Sequence, residues 1–138
     1  GDKSQGDGRL RDDFPGGWPG DAKNAFTGSG LADGEKEALE FTRHILNWRK
    51  SMNVIHTGKL KHYIPVDGVY VWFRYNDRES VMVVINNNEK ESRTLAGEKY
   101  AESLEGFTSG TDIISGRKID DLSSFNVPPA TAMIIELK

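Results

Sequence analysis

The residues that could do chemistry are few in kind. There are three histidines and no cysteine among 138 residues. Without cysteine there is no thiolate nucleophile, thiolate metal site or disulfide framework. No Gly-x-Ser-x-Gly elbow occurs, and His44, His56 and His62 stand apart in sequence. His44 falls on a helical stretch and reads as a surface or packing residue. His56 and His62 flank a strand start, with no second ligand set at metal spacing. The glycines at Pro15-Gly16-Gly17 neither follow a strand nor end in Lys-Ser or Lys-Thr, so they do not form a phosphate loop.

Carboxylates are plentiful, with 21 Asp and Glu. A glycosidase needs two of them across a cleft, about 5 to 9.5 Å apart. Asp12 and Asp13 are neighbours in a loop, the usual setting of a solvated pair or a turn device. Tyr70 and Trp72 fall on one face of a strand. They are either a stacking platform for a sugar ring or part of a core. Residue types and spacing therefore assemble no catalytic site, no metal site and no cofactor site.

The elements that must position these residues change character along the chain. Residues 1–34 hold nine of the 15 glycines, with Pro15 and Pro19. They read either as a flexible tail or as an ordered functional loop. Spacing predicts one helix over 35–50: Ala38, Phe41, Ile45 and Trp48 follow steps of three and four, widened by Leu39 and Leu46. Asp33 is the candidate N-cap, with acids in the first turn and Arg49 and Lys50 in the last. A connector over 51–57 follows.

From residue 58 the period is two. Leu60, His62 and Ile64 alternate with Lys59, Lys61 and Tyr63, and Asp67-Gly68 signals a hairpin turn. On 69–75, Val71 and Phe73 oppose Tyr70, Trp72 and Arg74. The stretches 80–86 and 131–137 are apolar on both faces, so they should be central in their sheet. A weaker strand is expected near 92–95 and a short helical turn over 97–104. A hairpin is expected about Ser115-Gly116, and Pro128-Pro129 stops any strand. This pattern predicts a mainly β fold, an antiparallel sandwich or barrel, preceded by one helix and a long glycine-rich loop.

Composition sets outer bounds. The chain has 36% apolar and 28% charged residues and a formal net charge of -3. That balance gives no reason to expect nucleic acid as a partner, and no apolar run reaches the roughly 20 residues of a membrane span. The chain starts abruptly in a polar loop, as a processed protein or a fragment of a longer one would.

Particular motifs go further. The run Asp7-Gly-Arg-Leu-Arg-Asp-Asp-Phe-Pro-Gly-Gly-Trp-Pro-Gly-Asp21, followed by Asn24-Ala-Phe-Thr-Gly28, resembles the loop after the eighth barrel strand of α-amylase family enzymes (glycoside hydrolase family thirteen). The nearest resemblance is to the neopullulanase and cyclomaltodextrinase group of Bacteroides-type starch utilisation. Leu46-Asn-Trp-Arg-Lys50 and Val54-Ile-His-Thr-Gly-Lys59 resemble the last barrel helix and its exit. Asp67-Gly-Val-Tyr-Val-Trp-Phe-Arg-Tyr75, Val81-Met-Val-Val-Ile-Asn86 and Ala132-Met-Ile-Ile-Glu-Leu137 resemble the C-terminal β-sandwich.

The resemblance implies a division into a barrel tail, 1–57, and a C-terminal sandwich, 58–138. It also implies that the catalytic carboxylates lie on earlier barrel strands, so that no catalytic residue, metal or cofactor is expected in this chain. The expected partners are the rest of the parent barrel and, in the intact enzyme, α-glucan. A periplasmic or cell-envelope location is implied by the same group. Asp7 and Arg11 match the spacing of an Asp-Pro-x-x-Arg run that binds a glucose unit, with Gly8 in place of the proline. Read without the family, they are an ordinary surface ion pair. Three roles are weighed: a non-catalytic part of a starch- or maltodextrin-degrading hydrolase, an α-glucan binding module using Tyr70 and Trp72, and an unrelated self-contained enzyme. The helix stripe should face two neighbours, a barrel sheet and the sandwich. Trp48, Ile45 or Phe41 is therefore expected to be exposed or covered by the Phe14–Trp18 loop.

Overall fold

A computed structural model describes residues 13–138. Asp7, Arg11 and Asp12 lie outside the described residues. The chain divides into two compact units, the first ending at His44 and the second covering Ile45–Lys138.

In the first unit, residues 13–32 form a loop held by its own polar bonds. Asp21 Oδ2 accepts from the amides of Gly16 (2.9 Å) and Trp18 (3.1 Å), and Asn24 Oδ1 from those of Phe26 (2.9 Å) and Thr27 (3.0 Å). The Ala25 amide donates to Pro15 O at 3.0 Å, closing the loop on itself. Gly16 has φ +91°, and a Cβ there would lie 2.7 Å from the Asn24 side chain, so glycine is required on both counts. Ala25 and Leu31 are buried, whereas Phe14, Trp18 and Phe26 are exposed. The stretch is a hydrogen-bonded loop that displays aromatics.

Helix α1, Asp33–Ser51, exceeds the predicted span by a turn fraction at its start. Ala32, not Asp33, is the N-cap. Its carbonyl accepts the Lys36 amide at 3.0 Å, and Glu35 reaches back to its amide at 2.8 Å. This is one half of a capping box, the half that needs no side chain on the cap. Lys23 Nζ lies 2.6 Å from Glu35, and its hydrogen bond, with that from Ala32, holds the Glu35 carboxyl below the usual carboxylate range. α1 has no buried residue. Phe41 is 50% exposed, while Ile45 and Trp48 are half-buried. Exposure at Phe41 matches the expectation for a helix whose stripe is not fully covered.

The second unit is a two-layer β structure. After α2 (Asn53–Thr57) come β1 (Lys59–His62), β2 (Val69–Tyr75), β3 (Ser80–Asn86) and β4 (Arg93–Ala96). A 3₁₀ turn, Gly97–Tyr100, leads into α3 (Ala101–Leu104). Then follow β5 (Gly110–Asp112), β6 (Lys118–Ile119), β7 (Ser124–Val127) and β8 (Thr131–Leu137). One sheet has the order β1-β2-β3-β8-β5-β6, and the other pairs β4 with β7, all antiparallel. As expected of strands apolar on both faces, β3 and β8 are central.

Between the layers, Val71, Phe73, Met82, Val84, Met133 and Ile135 of the large sheet meet Leu95, Phe125 and Val127 of the small one, with Tyr100 and Leu122 in the same cluster. Burial of such side chains contributes about 1.5 to 3 kcal/mol each. Asp67 and Gly68 both have positive φ (51° and 75°), the type I′ geometry that matches strand twist in a two-residue hairpin. Buried Asn86 ties the end of β3 to the far layer. Its amide donates to the carbonyls of Glu91 (2.8 Å) and Pro128 (2.9 Å), and its Oδ1 accepts from Asn88. Buried Asp112 accepts the amides of Ile134 (2.9 Å) and Ser115 (3.2 Å), pinning the β5–β6 turn to β8.

Two local expectations change. The hairpin about Ser115-Gly116 exists, but its strands, expected over 111–114 and 117–122, are shorter because the Asp112 turn takes up residues 112–116. β7 is an additional strand, in a stretch to which the sequence pattern assigns no element, placed by pairing with β4.

Candidate functional surface of the sandwich

Alternation along β2 puts Tyr70, Trp72 and Arg74 on the face of the large sheet away from the core. In register beside them stand Ile85, Val83 and Val81 of β3, and beyond those Ala132, Ile134 and Glu136 of β8. β1 joins the same face with Leu60 and His62, opposite Arg74 and Trp72. The alternation predicted for β1 is present, but the apolar set faces outward: Ile64 is 84% exposed and Leu60 58%. Pairing with β2 forces this, since Lys61 lies opposite core residue Phe73. Tyr63 then packs edge-on to Phe73 (centroids 5.8 Å apart) and Tyr100 (4.8 Å).

One end of the outer face is closed. Trp48 Nε1 on the last turns of α1 donates to Glu136. Arg74 reaches Ile55 O at 2.9 Å, and the Val54 amide donates to Glu79 at 3.3 Å. Val54 and Val81 are fully buried there. His56 spends its ring nitrogen on Arg49 O (3.0 Å), a cap for the carbonyl end of α1.

The rest of the face is open. Tyr70 and Trp72 are half-buried, with ring centroids 5.0 Å apart and planes tilted by 35°. His62 stands edge-on to Tyr70, with Nδ1 3.4 Å from its hydroxyl. Tyr70 and Trp72 are thus not part of the core cluster, and the structure brings His62 to them. Around them Val83, Ile85 and Ile134 are only partly covered. Sequence reasoning left the two rings open between core and surface, because residues alternating on a strand do not declare which face is inside. His62 was legible only once the β1–β2 register was known. Phe26, within the Asn24–Gly28 run, stacks edge-on to Phe14 at 5.5 Å in the first unit, a pairing that sequence spacing does not reveal. Among the described residues no three His, Asp or Glu side chains are gathered where they could hold a metal ion.

Comparison with known proteins supports this architecture. Residues 60–136 match the family described as the cyclo-malto-dextrinase C-terminal domain. Among solved structures, the chain is similar to an Anoxybacillus α-amylase (TM-score 0.60, 20% identity, 79% of this chain and 24% of that one). It is also similar to the α-amylase of Geobacillus thermoleovorans complexed with acarbose (0.59, 16%, 80% and 25%). A third is the trehalulose synthase MutB of Pseudomonas mesoacidophila (0.58, 20%, 72% and 18%). The chain spans a quarter or less of the length of these structures. The chain belongs to the cyclo-malto-dextrinase C-terminal domain family, which forms the C-terminal part of α-amylase family enzymes.

Proposed function

We propose that this chain is a non-catalytic part of an enzyme that degrades starch or maltodextrin. In this reading residues 1–57 are the tail of the catalytic barrel, and residues 58–138 are a sandwich that packs on the barrel and stabilises it. The carrying observation is the open outer face of the large sheet: Tyr70, Trp72, Val83, Ile85 and Ile134 are apolar yet only half covered. Contiguous apolar surface of that kind is what a domain interface buries. The absence of any buried residue on α1 supports the same reading, since a barrel helix needs its sheet.

In the intact enzyme, Asp7 and Arg11 would then serve the α-glucan, a carboxylate and a guanidinium sharing vicinal hydroxyls. The test is direct. The purified 138-residue chain is incubated with maltodextrin, and reducing ends are measured. No release above the blank is expected, and steady release would overturn the non-catalytic assignment.

A second reading is favoured by the Tyr70–Trp72 contact itself: the pair is a surface on which an α-glucan ring could stack. Maltoheptaose titration followed by tryptophan fluorescence decides it. A saturable change lost in Trp72→Ala supports stacking, and no change at millimolar sugar removes it.

A further inference from the structure

On the layer that covers the inner face of the large sheet, three short stretches meet corner to corner and frame a dimple of about 410 Å³. One side is the 3₁₀ turn running into α3, from Gly97 to Leu104. It is fastened to the second side, residues 121–123, by the Gly97 amide on Ser123 O (2.8 Å). A Cβ at Gly97 would lie 2.3 Å from Leu122 O, so glycine is what lets the two stretches come this close. The third side, residues 107–108, is tied to both. The Phe107 amide donates to Leu104 O (2.9 Å), and Thr108 O accepts the Leu122 amide (3.0 Å). The frame is therefore set before anything binds, which lowers the cost of binding.

Floor and rim differ in kind. Leu104 and Leu122, both buried core residues, give an apolar floor with half-buried Phe107 and exposed Ala101. The polar groups Glu98 and Asp121 are exposed at the rim. Both are acidic, and no Lys, Arg or His lines the dimple. Neither charge is cancelled. Glu98 has no ion-pair partner among the described residues. Asp121 takes its hydrogen bonds from Ser123, a neutral neighbour, which holds its carboxyl below the usual carboxylate range. Lys99, beside Glu98 in sequence, lies instead over the Tyr100 ring, 5.7 Å from its centroid.

This layout selects an occupant. Two uncancelled carboxylates favour a cation and disfavour an anion. The apolar floor favours an anchor that gives up its water. With no polar group in the floor, nothing would fix the orientation of a small molecule held inside. An apolar centre within a polar rim is instead the anatomy of a protein interface, where one anchor fills a preformed pocket. None of these residues belongs to the Tyr70–Trp72 face, so the inference stands apart from the packing proposed for that face.

We propose that this dimple docks a segment of another protein, in which an apolar side chain of about leucine size stands beside an arginine or lysine. The full 138-residue chain, labelled with ¹⁵N, is titrated with the peptide acetyl-Ala-Lys-Leu-Arg-Ala-amide, and amide shifts are mapped. Saturable shifts are expected at residues 97–108 and 121–123. Affinity should fall several-fold in Glu98→Gln, an exposed change that leaves the fold alone, and about tenfold in Ala101→Phe, which fills the dimple. Equal binding by the peptide with serine for leucine would overturn the anchor, and equal binding by the peptide with glutamate for both cations would overturn the charge selection. Phenethylammonium binding as tightly as the peptide would make this a small-molecule site and overturn a protein segment as its occupant. Shifts confined to other surfaces, or none at millimolar peptide, would overturn the proposal outright.

Discussion

The two faces of the six-stranded sheet are built from the same strands and differ only in which alternate residue is taken. The inner face carries Val71, Phe73, Met82, Val84, Met133 and Ile135, all buried. The outer face carries Tyr70, Trp72, Val83, Ile85 and Ile134, no less apolar and only half covered. One face is complete within this chain. Among the described residues the other is closed where Trp48, Val54 and Ile55 reach it, and the remainder is apolar and partly exposed. A sheet polar on one side would give no reason to look for a covering partner; this one is the ground for the proposed packing on the parent enzyme.

Substitutions sharpen that contrast. The largest effect is expected for Phe73→Ala on the inner face, a loss of about 3 to 5 kcal/mol from transfer and cavity terms together, measured by urea unfolding. A loss near 1 kcal/mol would mean the inner layer is poorly packed. Asn86→Ala should cost about 1 to 3 kcal/mol, because the carbonyls of Glu91 and Pro128 lose their donor in a buried setting. Trp72→Ala on the outer face should cost the isolated chain about 1 kcal/mol, clearly less than Phe73→Ala. Equal costs would erase the distinction between the faces.

The smallest effect concerns pH. The hydrogen bond from Lys61 holds Glu102 below its ordinary 4.5, and the same contact holds Lys61 above 10.5. A lowered carboxylate contributes stability above its unfolded value and loses it as pH falls through the lowered one. A raised lysine contributes below 10.5 and loses it as pH rises through the raised value. The pair should therefore act in full between 4.5 and 10.5 and weaken outside that window. Glu102→Gln should flatten the acid limb of a melting-temperature profile slightly. Because Glu102 is exposed and Lys61 only partly covered, a large change would show that the bridge is more than a surface contact.

Much of the fold was legible in the chain because periodicity and burial agree there. β3 and β8 are apolar on both faces and sit in the middle of the sheet. Asp67-Gly68 forms the turn its types require. β7 was not legible, because four residues between Asp121 and Pro128 carry too short a pattern to separate from turn. The orientation of β1 was hidden for a different reason. Its apolar residues face outward, and only pairing with β2 reveals that Lys61 and Tyr63 point to the core side. Helix α1 was visible from its stripe, yet its cap was misplaced because Glu35 satisfies a backbone amide at a residue with no capping side chain.

The central claim, that the outer face is covered by the rest of the parent enzyme, is tested most directly by making Trp72→Ala in two contexts and measuring the melting temperature of each. The parent enzyme should lose several degrees more than the isolated 138-residue chain does. Equal shifts in the two contexts would contradict the claim and leave the open face without a partner.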